Sequence, residues 1–326
     1  MRSKLFILIV FIGLGTQAQQ IFKRDLGLMG CKFEITVVAT SQKEADEYID
    51  LAVGEIQRIE ELISSWKPTS QTSAINKNAG IKPVKVDDEL FQLIKRSIDI
   101  SAITDGAFDI SFAAIDKIWV FNGQEAQKPN PVDISNSVEA IGFKNIHLDE
   151  KNSTVFLTKK GMKIGFGAIG KGYAADKAKN ILINKGVAGG IINASGDMNT
   201  WGVQPNGSAW KIAITNPLDT SKNYGLFELV DNAVVTSGNY EKYLLIDGKR
   251  YAHIIDPRTG MPTKGILSVT VFAPKAELAD ALATSVFVMG VDVGLNLINQ
   301  LPQVEAIIVK DDGGIATSAN INTKSK

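Results

Sequence analysis

The feature that most limits the fold of this chain is the irregular order of its helix-like and strand-like segments. Alternating apolar residues predict a strand over 26–40, and 3.6-residue spacing predicts a helix over 41–63 that begins with a Ser41–Glu44 capping box. After this helix the sequence predicts a turn-rich loop (64–80), a helix from 88 to the 105–106 turn and a hairpin (146–158). A series of short strands and two helices, at 276–289 and 291–299, complete the order. Because no βαβ period repeats, this order predicts an α+β fold with mixed or antiparallel sheets flanked by helices. No linker divides the chain, so we expect one compact domain over 19–326.

The N-terminus predicts export. Arg2 and Lys4 precede an apolar run from Leu5 to Leu14, and Thr16-Gln-Ala18 has the small-x-small pattern of a cleavage site. The run is shorter than the roughly 20 residues that span a bilayer. We therefore expect residues 1–18 to be a cleaved signal peptide, with an uncleaved membrane tail as the alternative. No cysteine adjoins the cleavage site, which argues against a lipid anchor, so a soluble periplasmic protein is expected.

The charge balance excludes some classes of partner. Lys and Arg total 35 residues and Asp and Glu also total 35, so no basic excess indicates nucleic acid or an anionic membrane. The single cysteine, Cys31, excludes an internal disulfide framework.

Asp280 and Thr284 form a candidate metal site on the helix AELADALATSVFVMG. They are four residues apart and share one helix face among apolar neighbours. A carboxylate and a hydroxyl placed together suit a hard cation such as magnesium. The alternative is an Asp favoured by the helix dipole and a Thr that bonds to a backbone carbonyl.

His253 is a candidate general base. It is one of two histidines, and it lies in YAHIIDPRTGMP, where Asp256–Gly260 signals a tight turn after a strand-like run. An imidazole there can move protons near neutral pH, or it can be a partly buried structural residue. The other histidine, His147, is predicted to be solvated and without a role.

Gly-containing turns at 104–111, 193–202 and 234–240 can offer backbone N–H groups to phosphate, although ordinary hairpins and helix ends have the same pattern. Asp197 is the one charge in the second turn. Trp66, in the loop SSWKPTS, is either a stacking platform or a surface anchor.

The stretch IGFGAIGKGYAADKA (164–178) nearly matches a phosphate-binding P-loop. From Gly165 it gives G-x-x-x-x-G-K, but Gly172 stands where the motif has a Ser or Thr for magnesium. No later strand ends in the Asp that completes an NTPase site. Lys171 and the glycines can still hold a diphosphate, in which case Asp280 and Thr284 are the available metal ligands.

Taken in order, these segments match a known pattern. It comprises Met29-Gly-Cys31, the loop from Ser64 to Asn76, Asp105-Gly-Ala-Phe-Asp109, Gly167-Ala-Ile-Gly-Lys171-Gly-Tyr173, Thr236-Ser-Gly-Asn239-Tyr240, His253-Ile-Ile-Asp-Pro-Arg-Thr-Gly260 and Ala279-Asp-Ala-Leu-Ala-Thr284. The chain resembles the ApbE family, the FAD:protein FMN transferases, over about 26–310.

The resemblance implies a magnesium-dependent enzyme with FAD as substrate. Such an enzyme moves FMN onto a Thr or Ser hydroxyl of a partner protein as a phosphodiester and releases AMP; membrane redox-pump subunits are the implied acceptors. By matched position, magnesium is held by the Ala168 carbonyl, Asp280 and Thr284. The implied FAD site comprises Met29, Trp66, Ala107, Phe108, Asp109, Lys171, Ser237, Gly238 and His253. His253 is the implied base beside the phosphate, with Asp256 or Asp280 as alternatives.

Three residues depart from the family pattern. Gly165 and Asn239 each replace an Asp, and Cys31 replaces a Thr. These changes weaken FAD binding, favour FAD hydrolysis over transfer, or have no effect; the sequence leaves all three open. Two other functions also stay open, a magnesium-dependent FAD pyrophosphatase and a flavin-binding or trafficking protein.

Overall fold

The computed structural model describes residues 18–115, 117–219, 221–239 and 242–321. The predicted signal peptide, 1–18, lies outside these residues except for Ala18. Tyr240 of the family pattern is also outside them. The helices are α1 (Gln42–Ile63), α2 (Gln71–Lys77), α3 (Asp88–Ile103), α4 (Pro131–Ser137), α5 (Gly170–Asn184), α6 (Ala276–Met289) and α7 (Val291–Ile298).

The strands are β1 (Gln20–Leu28), β2 (Cys31–Ala39), β3 (Val84–Lys85), β4 (Ile146–Asp149), β5 (Thr154–Leu157), β6 (Gly189–Ala194), β7 (Asp197–Gly202), β8 (Trp210–Thr215), β9 (Asn223–Leu229), β10 (Ala233–Gly238), β11 (Tyr243–Ile246), β12 (Lys249–Ala252), β13 (Ile266–Ala273), β14 (Glu305–Lys310) and β15 (Ile315–Thr317). Eight of them form one sheet in the order β1-β2-β6-β7-β10-β13-β14-β15, with every adjacent pair antiparallel. The predicted α+β fold is confirmed.

The centre of this sheet is covered on both faces. In the β10–β13 pair, Val235 opposite Val271 belongs to a core cluster with α6, whereas Val234 opposite Phe272 packs with residues of β8 and β9. All eight residues of β13 are buried, as expected for a strand with protein on both faces. Helices α1 and α5 contact each other, and α5 also contacts β6, β7 and α6. The N-termini of α5 and α6 therefore meet over the central strands.

Some local predictions were right. Ser41 caps α1, because its hydroxyl accepts a hydrogen bond from the Glu44 N–H at 3.3 Å. The Glu44 carboxylate accepts from the Thr40 N–H at 2.7 Å rather than from the Ser41 N–H of a standard capping box. The hairpin over 146–158 is present as β4 and β5.

Other local predictions were wrong. The single strand predicted over 26–40 is interrupted: residues 26–28 end β1, Met29 (φ 49°) and Gly30 (φ 73°) form a turn, and only Cys31–Ala39 form β2. The predicted loop over 64–80 contains helix α2, which Ser70 caps. The P-loop pattern also requires a strand before its Gly loop, but residues 163–168, which are apolar or Gly, form no strand.

In the part of the chain that the structure describes, no helix is both long enough and apolar enough to cross a bilayer.

Candidate functional site

Asp280 and Thr284 lie one turn apart on α6, as predicted, and each meets a different neighbouring element. The Asp280 carboxylate is 4% exposed and accepts a hydrogen bond from the Gly172 N–H at 3.1 Å. The Thr284 hydroxyl lies 3.5 Å from the hydroxyl of Ser237, at the end of β10. The fold thus brings α6, the start of α5 and the end of β10 together. Ala168 lies two residues before α5, and Lys171 is the second residue of that helix.

The environment of Asp280 suits a cation. Burial raises the pKa of Asp280, and the Lys171 ammonium and the Gly172 N–H act in the opposite direction. One hydrogen bond uses one of about four lone-pair directions of a carboxylate. The described residues contain no group of three or more His, Cys, Asp or Glu side chains placed to hold a metal. A site here would combine one carboxylate with neutral hydroxyl and carbonyl oxygens, a donor set that magnesium accepts.

Gly172 allows this arrangement because it has no side chain. A Cβ at this position would lie 2.2 Å from the Ala276 carbonyl oxygen, so α5 and α6 touch through backbone. Asp176, one turn further along α5, caps α6 by accepting from the N–H groups of Ala276 (3.0 Å) and Glu277 (2.9 Å). Two carboxylates, Asp176 of α5 and Asp280 of α6, therefore each accept hydrogen bonds from the other helix.

The turn between β1 and β2 borders the start of α5. The Met29 methyl carbon lies 3.9 Å from the position of a Cβ on Gly170, at the start of α5. Burial raises the pKa of Cys31, and the thiol also lies within the electrostatic reach of Lys171 and Asp280. An open hollow of about 810 Å³ adjoins the turn and is lined by residues 25–32 with two residues of α1. Its volume is in the range of small-molecule and cofactor sites.

Two turns of the predicted FAD site meet each other. The Arg258 guanidinium lies 3.5 Å from the Asp105 carbonyl oxygen, and the Asp109 carboxylate accepts from the N–H groups of Ser111 and Phe143, both at 2.7 Å. Burial raises the pKa of Asp109, and these hydrogen bonds lower it. The carboxylate thus holds the loop after α3 in place.

The side chains next to Asp109 face the protein interior. Ala107 is 1% exposed and Phe108 is 3% exposed. A ligand would therefore meet this segment mainly through its backbone.

His253 follows β12 directly and is exposed, with Nδ1 3.2 Å from the Lys242 carbonyl oxygen. Asp256, an alternative base, is engaged by Arg258, whose Nε and one terminal nitrogen contact it at 2.9 and 2.8 Å. Trp66 is 84% exposed, and the Lys117 ammonium lies 5.6 Å from its ring centre. Its ring is thus open to a stacking ligand.

The three departures from the family pattern have distinct surroundings. A Cβ on Gly165 would lie 3.0 Å from the Ala113 Cβ, so a larger residue needs a small local shift. Asn239 is 2% exposed and donates to the Ile266 carbonyl at 2.8 Å, while its Oδ1 has no hydrogen-bond partner in the described structure. Cys31 lies close enough to Lys171 and Asp280 for their charges to act on its thiol.

The structure adds two residues that the sequence did not single out for this site. Asp176 caps α6, and Asp197 forms an ion pair with Lys171. Asp197 was noticed only as the charge in a Gly turn. Asp176 has no sequence signal, because an Asp in the middle of a helix reads as a surface residue.

Comparison with known proteins agrees with the family that the motifs indicate. A model of the ApbE family matches residues 29–308. The chain is 32% identical over 302 residues to a FAD:protein FMN transferase of Klebsiella pneumoniae (strain 342), covering 92% of each. It is 33% identical over 281 residues to one of Treponema pallidum (strain Nichols), covering 82% of this chain and 78% of the relative.

Solved structures share the fold. The ApbE protein of Thermotoga maritima aligns with a TM-score of 0.82 and 32% identity, over 92% of this chain and 97% of that one. The apo flavinyl transferase ApbE of Pseudomonas stutzeri aligns with a TM-score of 0.80 and 26% identity, over 92% and 94%. The resemblance drawn from the motifs is confirmed.

Proposed function

Because the chain belongs to the ApbE family, we propose that it is an enzyme that transfers the FMN moiety of FAD to a partner protein. The acceptor is a Thr or Ser hydroxyl, the product is a phosphodiester, and AMP leaves. The observation that carries the proposal is the meeting of Asp280 and Thr284, one turn apart on α6, with the Lys171–Gly172 segment in the first turn of α5 and with Ser237 at the end of β10. Helix N-termini and lysine are suited to the phosphates of FAD.

In the reaction, the acceptor oxygen forms a bond to the phosphorus of the FMN half, and the bond from that phosphorus to the oxygen of AMP breaks. A magnesium ion held by Asp280, Thr284 and the Ala168 carbonyl would neutralise part of the diphosphate charge. Lys171 binds the diphosphate from the start of α5, and the Met29 turn and the exposed Trp66 ring offer surfaces for the flavin or the adenine.

The acceptor hydroxyl must lose a proton, and we assign its removal to His253. Asp256 is held by Arg258 in a two-point ion pair, and Asp280 is buried against the Gly172 N–H. The His253 side chain is exposed at the end of β12, where a bound acceptor can approach it. General-base catalysis contributes roughly 10²–10⁴-fold.

The predicted export signal gives the proposed setting. We place the mature protein, residues 19–326, in the periplasm as a soluble enzyme. Its acceptor would be a subunit of a membrane redox pump that exposes a Thr or Ser to the same compartment.

The test is incubation of purified 19–326 with FAD, magnesium and a candidate acceptor, followed by measurement of acceptor mass and free AMP. Acceptor mass gain with equal AMP supports transfer. AMP without mass gain indicates FAD hydrolysis instead, and FAD binding without either product indicates a flavin-binding protein.

His253→Ala tests the assignment of the base. Transfer should fall about 10²–10⁴-fold, while FAD still binds through the other residues of its implied site. The matched control is His147→Ala, which removes the chain's other histidine from the exposed face of β4. Undiminished transfer in His253→Ala would show that another group takes the proton.

A further inference from the structure

Strand β7 contacts α5 through polar side chains at three points. Asp197 forms an ion pair with Lys171, the Asn199 amide donates to Asp176 at 2.6 Å, and the Lys179 ammonium donates to the Asn199 side-chain oxygen at 3.1 Å. The first of these contacts lies at the N-terminus of α5, where the proposed diphosphate site begins. The other two hold the rest of the helix against the same strand.

The backbone of Asp197 is fixed by a tight hairpin. Ser195 (φ 56°) and Gly196 (φ 101°) are the two turn residues between β6 and β7, and the Gly196 N–H donates to the Asn193 side chain at 2.9 Å. Two left-handed residues are typical of a two-residue hairpin turn whose twist matches its strands. Asp197 pairs with Ala194 across this turn. Because β7 lies between β6 and β10, the carboxylate has a rigid support.

Lys171 needs such a support. Its side chain is 30% exposed, whereas the Asp197 side chain is 3% exposed, so the carboxylate holds the ammonium from the protein side. A lysine ammonium sits on a flexible four-carbon stem, and binding a ligand with an unheld lysine costs its rotational freedom. A lysine already held over the site does not meet that cost when the ligand arrives.

We propose that Asp197 is a positioning residue that holds the Lys171 ammonium toward the diphosphate of FAD. The identity of the ligand rests on the proposed function. The exposures give the sign of the effect: Asp197 is buried and Lys171 is partly exposed, so loss of the carboxylate frees the lysine to move into solvent. If Asp197 instead competed with the diphosphate for the ammonium, removing its charge would tighten binding.

The test is a double-mutant cycle on the mature chain. Asp197→Asn, Lys171→Ala and the double variant are compared with wild type by flavin fluorescence titration with FAD and magnesium, without acceptor. Asp197→Asn should raise the Kd for FAD about 10- to 30-fold, and it should add little in the Lys171→Ala background, because its effect passes through the lysine. Asp231→Asn is the matched control: it removes an exposed Asp that contacts the other end of β7 at Gly202, and it should leave the Kd unchanged.

Three results would overturn the inference: an unchanged Kd in Asp197→Asn, a tighter Kd, or an equal loss with and without Lys171. The last would mean that Asp197 only supports the fold, which urea unfolding of the same variants reports separately. Failure of the proposed function gives a different pattern. The wild type would then bind FAD without modifying any acceptor, and Asp197→Asn would still raise the Kd for FAD only when Lys171 is present. A wild type that does not bind FAD would overturn both.

Discussion

Replacing Gly172 with Ala should separate the two helices that form the site. A Cβ there would lie 2.2 Å from the Ala276 carbonyl oxygen and 2.8 Å from the Glu277 nitrogen, and real Cβ contacts essentially never fall below 3.0 Å. The N-terminus of α6 must therefore retreat by at least 3.0 − 2.2 = 0.8 Å. The obstructing atoms belong to backbone that Asp176 caps, so no side-chain rotation relieves the contact.

The expected cost combines two effects. Forcing an extra carbon into a packed contact costs about 1–3 kcal/mol. Retreat of α6 also lengthens the 3.1 Å hydrogen bond from Gly172 to the Asp280 carboxylate, and a hydrogen bond to a charged group is worth about 1.5–3 kcal/mol. The higher helix propensity of alanine offsets up to about 1 kcal/mol of this destabilisation. We therefore expect a net loss of about 1.5–5 kcal/mol in the free energy of unfolding.

Urea unfolding followed by circular dichroism measures this loss. Gly54→Ala is the matched control, because Gly54 lies within α1 and a Cβ added there would have no atom within 4 Å. The same substitution there should stabilise the protein by about 0.5–1 kcal/mol. Equal unfolding free energies for Gly172→Ala and wild type would refute the idea that backbone contact between the helices requires glycine.

Two further predictions concern groups around the same helices. Asp176→Ala removes the cap from Ala276 and Glu277 and takes the acceptor from three donors, these two N–H groups and the Asn199 amide, so urea unfolding should show a loss of about 2–4 kcal/mol; a loss below about 0.5 kcal/mol would contradict the capping role. Burial alone would raise the pKa of Glu89. Hydrogen bonds from Arg58 and two other side chains outweigh that effect and lower the pKa from 4.5 to about 2. Its ionised form therefore stabilises the fold fully above pH 4.5, and this contribution is lost as the pH falls toward 2. Glu89→Gln should lower stability at pH 7 and reduce the loss of stability between pH 4.5 and 2, which acid titrations of both proteins would show.

The sequence predicted best the elements whose signals are local. The helix over 41–63 appeared with its cap because the 3.6-residue spacing and Ser41 lie within one segment. The turn at Met29–Gly30 was missed because a methionine in a left-handed conformation has no sequence signal. Helix α2 was missed because its short polar sequence is stabilised by contacts made elsewhere, such as the hydrogen bond from the buried Thr72 hydroxyl to the Leu62 carbonyl.

The candidate site divides in the same way. The pair Asp280 and Thr284 follows from spacing on one helix, so sequence could find it. The contacts of Asp176 with the start of α6 and of Asp197 with Lys171 join residues 100 and 26 positions apart. Nothing within either segment indicates these partners, since they depend on which strand lies beside α5.

The resemblance of residues 165–172 to a P-loop can now be explained in physical terms. A P-loop places a hydroxyl directly after its lysine, and that hydroxyl binds magnesium. Here the residue after Lys171 has no side chain, which lets α6 approach until the Asp280 carboxylate accepts the Gly172 N–H. In the proposed site, the magnesium ligand that the loop lacks would come from Asp280 on this second helix. Gly172→Ser, which would complete the P-loop pattern, should therefore displace Asp280 and weaken the proposed magnesium site rather than create a nucleotide site.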